Sequence, residues 1–142
     1  MPAPAAHDRT PPRLQRVITP TLRFADLAAA LELYTGTLGF DVARGTVEEG
    51  NIAIQRGDDR LMLESGGAFY GETYNAAIAS RLGRPGAGAL YVEAEDLPDL
   101  YAAVEAAGLR VVDPLADRPW GQTEFTVEDH EGNWLSFWKR LG

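Results

Sequence analysis

The chain of 142 residues contains no cysteine, which excludes disulfide bonds, thiolate catalysis and cysteine-bound metal or iron–sulfur sites. Its two histidines, His7 and His130, are too few for a histidine-rich metal site and are not placed to activate a serine nucleophile. No run approaches the ~18 apolar residues of a membrane-spanning helix, and the first residues lack the apolar core of a secretory signal. We therefore expect a cytoplasmic protein.

Basic residues are also scarce. The chain has 13 Lys and Arg against 21 Asp and Glu, which gives a net charge of −8. Nucleic-acid binding is not expected, because phosphate contacts need a basic surface. An acidic domain attracts cationic ligands rather than anionic ones, although the same charge also serves solubility alone. The proline-rich, charged residues 1–15 predict a disordered tail, and residues 16–142 are long enough for a single domain.

A repeated pattern organises the rest of the chain. Asp26-Leu27 opens an apolar-periodic helix that ends near Gly39, and Asp96-Leu97, 70 residues later, opens another that ends near Gly108. The apolar stripe of the first helix consists of Leu27, Leu31, Tyr34 and Leu38. The chain therefore carries one helical unit twice.

Short β-rich segments flank each of these helices. They span residues 16–24, 40–46, 51–56 and 60–65 in the first half, and about 89–93, 110–114, 121–128 and 134–139 in the second. This order predicts an α+β fold of two βαβββ repeats. The halves, at about 16–66 and 88–140, are joined by a crossover at 67–87 with a short helix around 75–82. Two small sheets, each covered by a helix on one face, leave two faces free to form a cleft.

Two segments around the repeat carry a family resemblance. They are Leu33-Tyr34-Thr35-Gly36-Thr37-Leu38-Gly39-Phe40 and Glu128-Asp129-His130-Glu131-Gly132-Asn133. Together they resemble the vicinal oxygen chelate superfamily of glyoxalase I, extradiol dioxygenases and bleomycin resistance proteins, over about residues 16–140. Within it, Gln55-Arg56-Gly57-Asp58 before Leu61-Met62-Leu63-Glu64, with Trp120-Gly121 before the penultimate strand, looks similar to the bleomycin resistance branch.

The resemblance implies one metal ligand on the first and fourth strands of each half. Carried over to this chain, these positions are Thr19, Glu64, Ala89 and Ser136. Such an ion needs His, Glu or Gln donors, and only Glu64 qualifies. His130 stands where this motif usually has proline, and we expect it to be a solvated turn residue. We therefore expect no bound metal and no other cofactor.

The two-residue period of strands predicts which other side chains share the cleft. The expected ligand-binding set is Thr19, Thr21, Met62, Glu64, Tyr91, Trp120, Trp134, Ser136 and Trp138. The set expected to face the helices is Leu22, Leu61, Leu63, Leu90, Val92, Leu135 and Phe137. In the alternative interpretation, Trp134 and Trp138 pack against the partner half or a second subunit, Trp120 packs only its own loop instead of the cleft rim, and Glu64 is a solvated edge carboxylate. The phase of residues 121–128 stays open, and with it whether Glu124 faces the cleft.

Two functions fit these residues. The first, implied by the resemblance, is a metal-free antibiotic-binding and antibiotic-resistance protein. It would sequester a bleomycin-type or other cationic aromatic small molecule by stacking on cleft aromatics. The resemblance also implies a homodimer in which both chains build each cleft, often with an exchanged N-terminal strand. The second function is a metal-independent lyase or isomerase with Glu64 as its base. We expect the binding function, with no nucleic-acid or membrane partner.

Overall fold

The computed structural model describes residues 18–65, 72–84, 86 and 88–142, which form two four-stranded sheets. The first sheet consists of β1 (Thr21–Phe24), β2 (Asp41–Thr46), β3 (Asn51–Arg56) and β4 (Asp59–Ser65). The second consists of β5 (Ala89–Glu93), β6 (Arg110–Arg118), β7 (Gln122–Glu128) and β8 (Trp134–Arg140). The spatial orders are β1-β4-β3-β2 and β5-β8-β7-β6. We call residues 21–65 the first module and residues 89–140 the second module.

The two sheets have the same topology. In each, the first and last strands of the module pair in parallel, and the other neighbouring strands are antiparallel. A helix connects the first strand to the second, as a parallel pairing of the first strand with the last requires. The predicted α+β fold of two βαβββ modules is therefore confirmed.

The two helices of the repeat begin where the sequence predicts. The described helices are α1 (Leu27–Leu31), which continues directly into a π-helix (Glu32–Thr37), α2 (Glu72–Ala79) and α3 (Leu97–Ala106), of which α1 and α3 belong to the repeat. The Asp26 carboxylate accepts a hydrogen bond from the Ala29 amide at 3.0 Å, and Asp96 accepts one from the Asp99 amide at 3.2 Å. Both aspartates thus satisfy amides of a first helical turn that have no partner within the helix. No helix within the described residues is long and apolar enough to cross a membrane.

The second part of the first helix differs from the prediction. Periodicity predicts an α-helical stripe as far as Leu38, but the chain is π-helical over Glu32–Thr37, and Leu33 is buried as well. The Thr35 hydroxyl donates to the carbonyl of Leu31 at 2.6 Å, the acceptor that an α-helix would offer to the Thr35 amide. Competition of this kind favours the wider turn, which the apolar spacing alone does not reveal.

Strand β6 is longer than the predicted segment 110–114, because it bends and then resumes its pairing. Its register with β7 shifts between Val111 and Asp113 and again between Asp113 and Ala116. Pro114 lies inside this irregular stretch and cannot donate a ladder hydrogen bond. A bulge accommodates the proline, after which pairing continues as far as Arg118.

The first module begins at a sheet edge. Strand β1 starts at Thr21, directly after Pro20, and it is an edge strand, as the proline predicts. The Pro20 carbonyl still accepts a hydrogen bond from the Met62 amide at 2.9 Å. The predicted tail at 1–15 and the start of the predicted strand at residue 16 lie outside the described residues. Helix α2 begins three residues earlier than predicted.

The core consists of apolar side chains that both sheets direct toward the helices. Leu61, Leu63, Leu135 and Phe137 are buried there, and Leu22, Leu90 and Val92 pack against them. Side chains of the two modules belong to one continuous cluster, for example Phe24 and Tyr34 of the first and Val104 and Phe125 of the second. The helix-facing set is therefore confirmed, and the alternating side chains point to the opposite side of each sheet. We call that opposite side the front face of each sheet.

The turn after β7 connects the modules through side-chain hydrogen bonds. The Tyr34 hydroxyl donates to the Asp129 carboxylate at 2.9 Å, and both side chains are buried. The Glu131 carboxylate accepts hydrogen bonds from the amides of Ala25 and Asp26, each at 2.8 Å, at the start of the first helix. We call Tyr34, Asp129 and Glu131 the module clasp. The clasp holds the second module's turn against the first module's helix.

His130 lies in the same turn and is an exposed residue, as expected, but its ring also packs against the first module. Its imidazole stacks on the Phe24 ring with a centroid distance of 5.5 Å and an interplanar angle of 9°. Its Nε2 lies 3.4 Å from the Glu131 carboxylate, and only 28% of the side chain is exposed. The turn delivers His130 to the other module, a contact that sequence spacing does not encode.

Candidate functional site

The front face of the first sheet holds a buried ion pair. Glu64 alternates with Leu63 on β4, so it points away from the helices, and it is only 4% exposed. Arg23 Nη2 lies 2.6 Å from Glu64 Oε1, and Asn51 Nδ2 donates to Glu64 Oε2. The Tyr74 ring of α2 lies over the Arg23 guanidinium, 4.8 Å from its centroid. The carboxylate is therefore enclosed by a cation, an amide and an aromatic side chain.

This arrangement changes the interpretation of Glu64. Its charge is balanced within the protein by Arg23, which the sequence analysis did not single out. The signal was present, because Arg23 follows Thr21 by two residues and so shares its side of β1. Both carboxylate oxygens already accept hydrogen bonds, an arrangement that does not favour taking a proton from a substrate. The lyase or isomerase function stays a prediction, without support from this geometry.

The rest of the first front face continues this polar network outward. Arg44 Nη1 donates to the Asn51 amide oxygen at 2.7 Å, and Arg44 also approaches the sulfur of Met62. Met62 is half-buried, and Thr21 is exposed at the edge. Thr19 is exposed and precedes β1, so it does not occupy a strand position. This face is polar and rich in arginine rather than aromatic.

The front face of the second sheet carries most of the aromatic residues of the predicted set. Trp134, Ser136 and Trp138 alternate with the buried Leu135 and Phe137 along β8, as the period of two predicts. Across the sheet the front-face rows are Ala89–Trp134–Glu128, Tyr91–Ser136–Thr126 and Glu93–Trp138–Glu124. These rows settle the phase of β7, because Glu124 lies on the front face opposite Trp138.

Glu124 lies at the centre of a hydrogen-bonded aromatic cluster. Its carboxylate is 7% exposed and accepts hydrogen bonds from the Tyr91 hydroxyl and the Trp120 indole N–H, each at 2.5 Å. The Tyr91 ring also lies 6.4 Å from that of Trp138. The hydrogen bond to Glu124, then the burial of the hydroxyl, then the carboxylate's charge raise the pKa of Tyr91. We call Tyr91, Trp120, Glu124 and Trp138 the aromatic cluster.

Two further pairs complete this face. The hydroxyls of Ser136 and Thr126 are 2.6 Å apart, so the buried Ser136 has a partner within the sheet. The Trp134 indole N–H donates to Glu128 at 3.1 Å, and Glu128 pairs with Arg110 at 3.4 Å. The polar atoms of these two pairs have partners, while large aromatic surfaces stay in contact with solvent.

The four positions that relatives are expected to use for a metal do not fit a divalent ion here. Glu64 is held by Arg23, Ser136 is held by Thr126, and Thr19 and Ala89 supply no strong ligand. Within residues 18–65, 72–84, 86 and 88–142, no three His, Asp or Glu side chains lie together as a metal site requires. We therefore assign no step of chemistry to a metal.

A cavity of about 1020 Å³ lies where the start of β4 approaches β5. It is lined by Ile18, Thr19, Pro20, Phe40, Arg56, Asp58, Asp59, Arg60, Leu61, Leu90, Tyr91, Val92 and Glu93. A second cavity, of about 240 Å³, shares Phe40 and Arg56 with it and reaches the start of α3. Of the predicted ligand-binding set, only Thr19 and Tyr91 line either cavity. A single chain therefore does not gather the predicted residues into one of these two cavities.

The profile of the Glyoxalase/Bleomycin resistance protein/Dioxygenase superfamily matches residues 14–137 of the chain. Because this match covers most of the sequence, the protein belongs to that superfamily, in agreement with its two βαβββ modules. A comparison with curated proteins gave no match.

Solved structures with a similar fold include TioX from Micromonospora sp. ML1, which is 23% identical with a TM-score of 0.64, covering 89% of this chain and 100% of TioX. UcmS2 is 26% identical with a TM-score of 0.68, covering 89% of this chain and 98% of UcmS2. A glyoxalase/bleomycin resistance protein/dioxygenase from Alicyclobacillus acidocaldarius is 19% identical with a TM-score of 0.62, covering 89% and 92% of the two chains. These similarities support the fold.

Proposed function

We propose that the protein is a metal-free binding protein of the bleomycin resistance type, which sequesters a cationic aromatic small molecule. The observation that carries this proposal is the exposed aromatic surface of the second front face. Tyr91 is 55% exposed, Trp120 62% and Trp134 40%, although their polar atoms are hydrogen-bonded. An aromatic patch of this kind on a small domain is typical of a binding surface rather than of bare solvent contact.

The chemistry of the patch favours planar and positively charged ligands. Indole and phenol rings offer flat surfaces for stacking, and their negative faces attract cations. Glu124 and Glu128 add carboxylates on the same face. The net charge of −8 disfavours anionic ligands at longer range. Binding without catalysis would protect a cell by mass action, as antibiotic resistance through sequestration requires.

A second copy of the chain would complete the cleft in this proposal. Within one chain, the two modules contact each other through the core and the module clasp. The clasp does not cover either front face. The first front face carries Arg23 and Arg44 with Glu64, whereas the second carries Glu124 and Glu128 among aromatic rings. Two copies could therefore oppose faces of complementary charge and chemistry. An exchanged N-terminal strand and a cytoplasmic location remain further parts of this proposal.

Fluorescence titration tests the binding function. Bleomycin, 10-methylacridinium and neutral acridine are titrated into the protein, and quenching of tryptophan fluorescence is measured alongside equilibrium dialysis. Saturable binding at ligand concentrations on the order of micromolar is expected for at least one of these compounds. The variant Trp138→Leu should weaken binding about tenfold or more, because it removes a stacking surface.

A matched control and a mass measurement complete the test. Tyr101 packs its ring against the core residue Phe125 at 5.0 Å, away from the front face, so Tyr101→Phe should bind like the wild type. Absence of saturable binding for all three compounds would rule out the proposed function. Sedimentation should give twice the chain mass of 15.4 kDa. If the protein is a monomer and still binds a ligand, the shared cleft is wrong but the binding function stands.

A further inference from the structure

We propose that Glu124 is the residue that selects ligand charge, by placing its carboxylate against a positively charged aromatic nitrogen. The inference rests on the proposed function and names the group that gives it specificity. Glu64 belongs to the predicted ligand-binding set, but its charge is already balanced by Arg23, and the structure offers Glu124 as the carboxylate for a ligand cation. The two carboxylates are similarly buried, with exposures of 4% for Glu64 and 7% for Glu124.

The difference between the two carboxylates lies in their partners. Glu64 has a guanidinium at 2.6 Å, whereas the Glu124 carboxylate accepts hydrogen bonds from two neutral donors, the Tyr91 hydroxyl and the Trp120 indole N–H. Hydrogen bonds from neutral groups satisfy the oxygens but leave the negative charge in place. Burial of a charge costs free energy when no opposite charge lies beside it. A cation that contacts such a buried carboxylate therefore gains more binding free energy than it would at an exposed carboxylate.

The neighbouring cation of the protein is engaged elsewhere. Arg118 Nη2 is held by the Asp113 carboxylate at 3.1 Å and by the Pro114 carbonyl at 2.6 Å. It reaches Glu124 only at the backbone oxygen, at 3.5 Å. Among the residues that the structure describes, no Lys, Arg or His nitrogen lies within 4.0 Å of the Glu124 carboxylate. The Glu124 carboxylate therefore has no ion pair with a described residue, and a ligand cation can occupy that position.

The cover over Glu124 consists of side chains that a ligand can displace or stack on. Tyr91 and Trp120 are both more than half exposed, so their rings are not fixed by core packing. The register partner of Glu124 on β6 is the exposed Ala116, which presents only a methyl group. The partner on β8 is Trp138, which offers a second ring. An aromatic cation can thus exchange one neutral hydrogen-bond donor for a charge contact and keep stacking on the remaining rings.

The test compares 10-methylacridinium with acridine, which has nearly the same shape and is neutral at mildly alkaline pH. Wild-type protein should bind the cation about tenfold or more tightly than acridine. The variant Glu124→Gln keeps the side-chain size and should lose about tenfold in affinity for the cation while changing acridine binding less than about twofold. The control Glu105→Gln removes an equal charge from an exposed position of α3, on the side of the second sheet away from the front face, and it should leave both affinities nearly unchanged.

A second variant covers the case in which Glu124→Gln fails to fold. Ala116→Lys places an ammonium beside Glu124 from an exposed strand position, and it should weaken cation binding while sparing acridine. Loss of both ligands to the same degree in Glu124→Gln, or an unchanged preference for the cation in either variant, would overturn the inference while the binding function stands. If neither compound nor bleomycin binds the wild type, the proposed function fails and the inference with it.

Discussion

The module clasp gives a quantitative prediction for the variant Tyr34→Phe, which removes one hydroxyl and keeps the ring. That hydroxyl donates to Asp129 at 2.9 Å, and the two residues are 0% and 4% exposed. The Asp129 carboxylate retains hydrogen bonds from the amides of Glu131 and Asn133 and from the Asn133 side chain. The carboxylate therefore keeps hydrogen-bond donors in the variant. Tyr34→Phe should lower the unfolding free energy by the contribution of one hydrogen bond to a charged group, about 1.5–3 kcal/mol.

The pH dependence of this loss is a sharper test. Burial of Tyr34, then the charge and hydrogen bond of Asp129, raise the pKa of its hydroxyl far above the ordinary value of 10.0. The folded protein thus keeps a phenolic proton that the unfolded chain releases. This contribution to stability is fully present below about pH 10 and falls by about 1.4 kcal/mol for each further pH unit. The difference in unfolding free energy between wild type and Tyr34→Phe should therefore decrease by about 1.4 kcal/mol between pH 8 and pH 11.

Urea unfolding followed by tryptophan fluorescence measures both quantities at each pH. The control is Tyr101→Phe, since the Tyr101 ring packs against Phe125 and its hydroxyl has no hydrogen bond to any described residue. This control should change the unfolding free energy by less than about 0.5 kcal/mol. If the difference in unfolding free energy between wild type and Tyr34→Phe is constant across this pH range, the assigned role of the buried hydroxyl is wrong. A Tyr34→Phe protein as stable as the wild type at neutral pH would refute the hydrogen bond's contribution.

Three further stability changes can be measured in the same urea assay. Arg23→Met should lower the unfolding free energy by about 3–5 kcal/mol, because it removes the cation that pairs with the buried Glu64. The double variant Arg23→Met with Glu64→Gln should recover part of this free energy, and no recovery would contradict the assigned cause. Glu131→Ala should cost about 1–2 kcal/mol, since it removes the acceptor for two amides at the start of the first helix, whereas Glu131→Gln should cost less. Gly45→Ala should destabilise the protein by about 1–3 kcal/mol or more, because φ is +93° and the new Cβ would lie 2.1 Å from the Asn51 carbonyl oxygen. Gly57→Ala is the control for backbone strain alone, because its φ is +61° and its new Cβ would have no atom within 4 Å.

Features that depend on local sequence could be predicted well. Asp26 and Asp96 open their helices as expected, because a cap bonds to amides two or three residues away. The buried and exposed sides of β8 follow from alternation along Trp134 to Trp138. The order of elements in two βαβββ repeats also followed from local patterns, whereas the pairing of strands came only from the structure.

Features that depend on partners distant in sequence could not be predicted in this way. The ion pair of Arg23 with Glu64 joins residues 41 positions apart, and only the parallel register of β1 with β4 brings them together. The stacking of His130 on Phe24 likewise depends on how the second module's turn meets the first module. The π-helical segment coincides with a hydrogen bond from the Thr35 hydroxyl to the Leu31 carbonyl, which apolar spacing does not report.

The sequence by itself determined the two βαβββ modules and the sides of β1, β4, β5 and β8 that face the helices, because periodicity and capping act within a few residues. The absence of cysteine and the scarcity of histidine likewise limited the chemistry before any fold was known. Only the tertiary structure decided which buried carboxylate has a cation beside it. Glu64 and Glu124 are the same residue type on equivalent sheet faces, and their difference arises from neighbours that strand register supplies across the chain. Electrostatic environment is a property of assembled neighbours, so it is fixed when the sheets form.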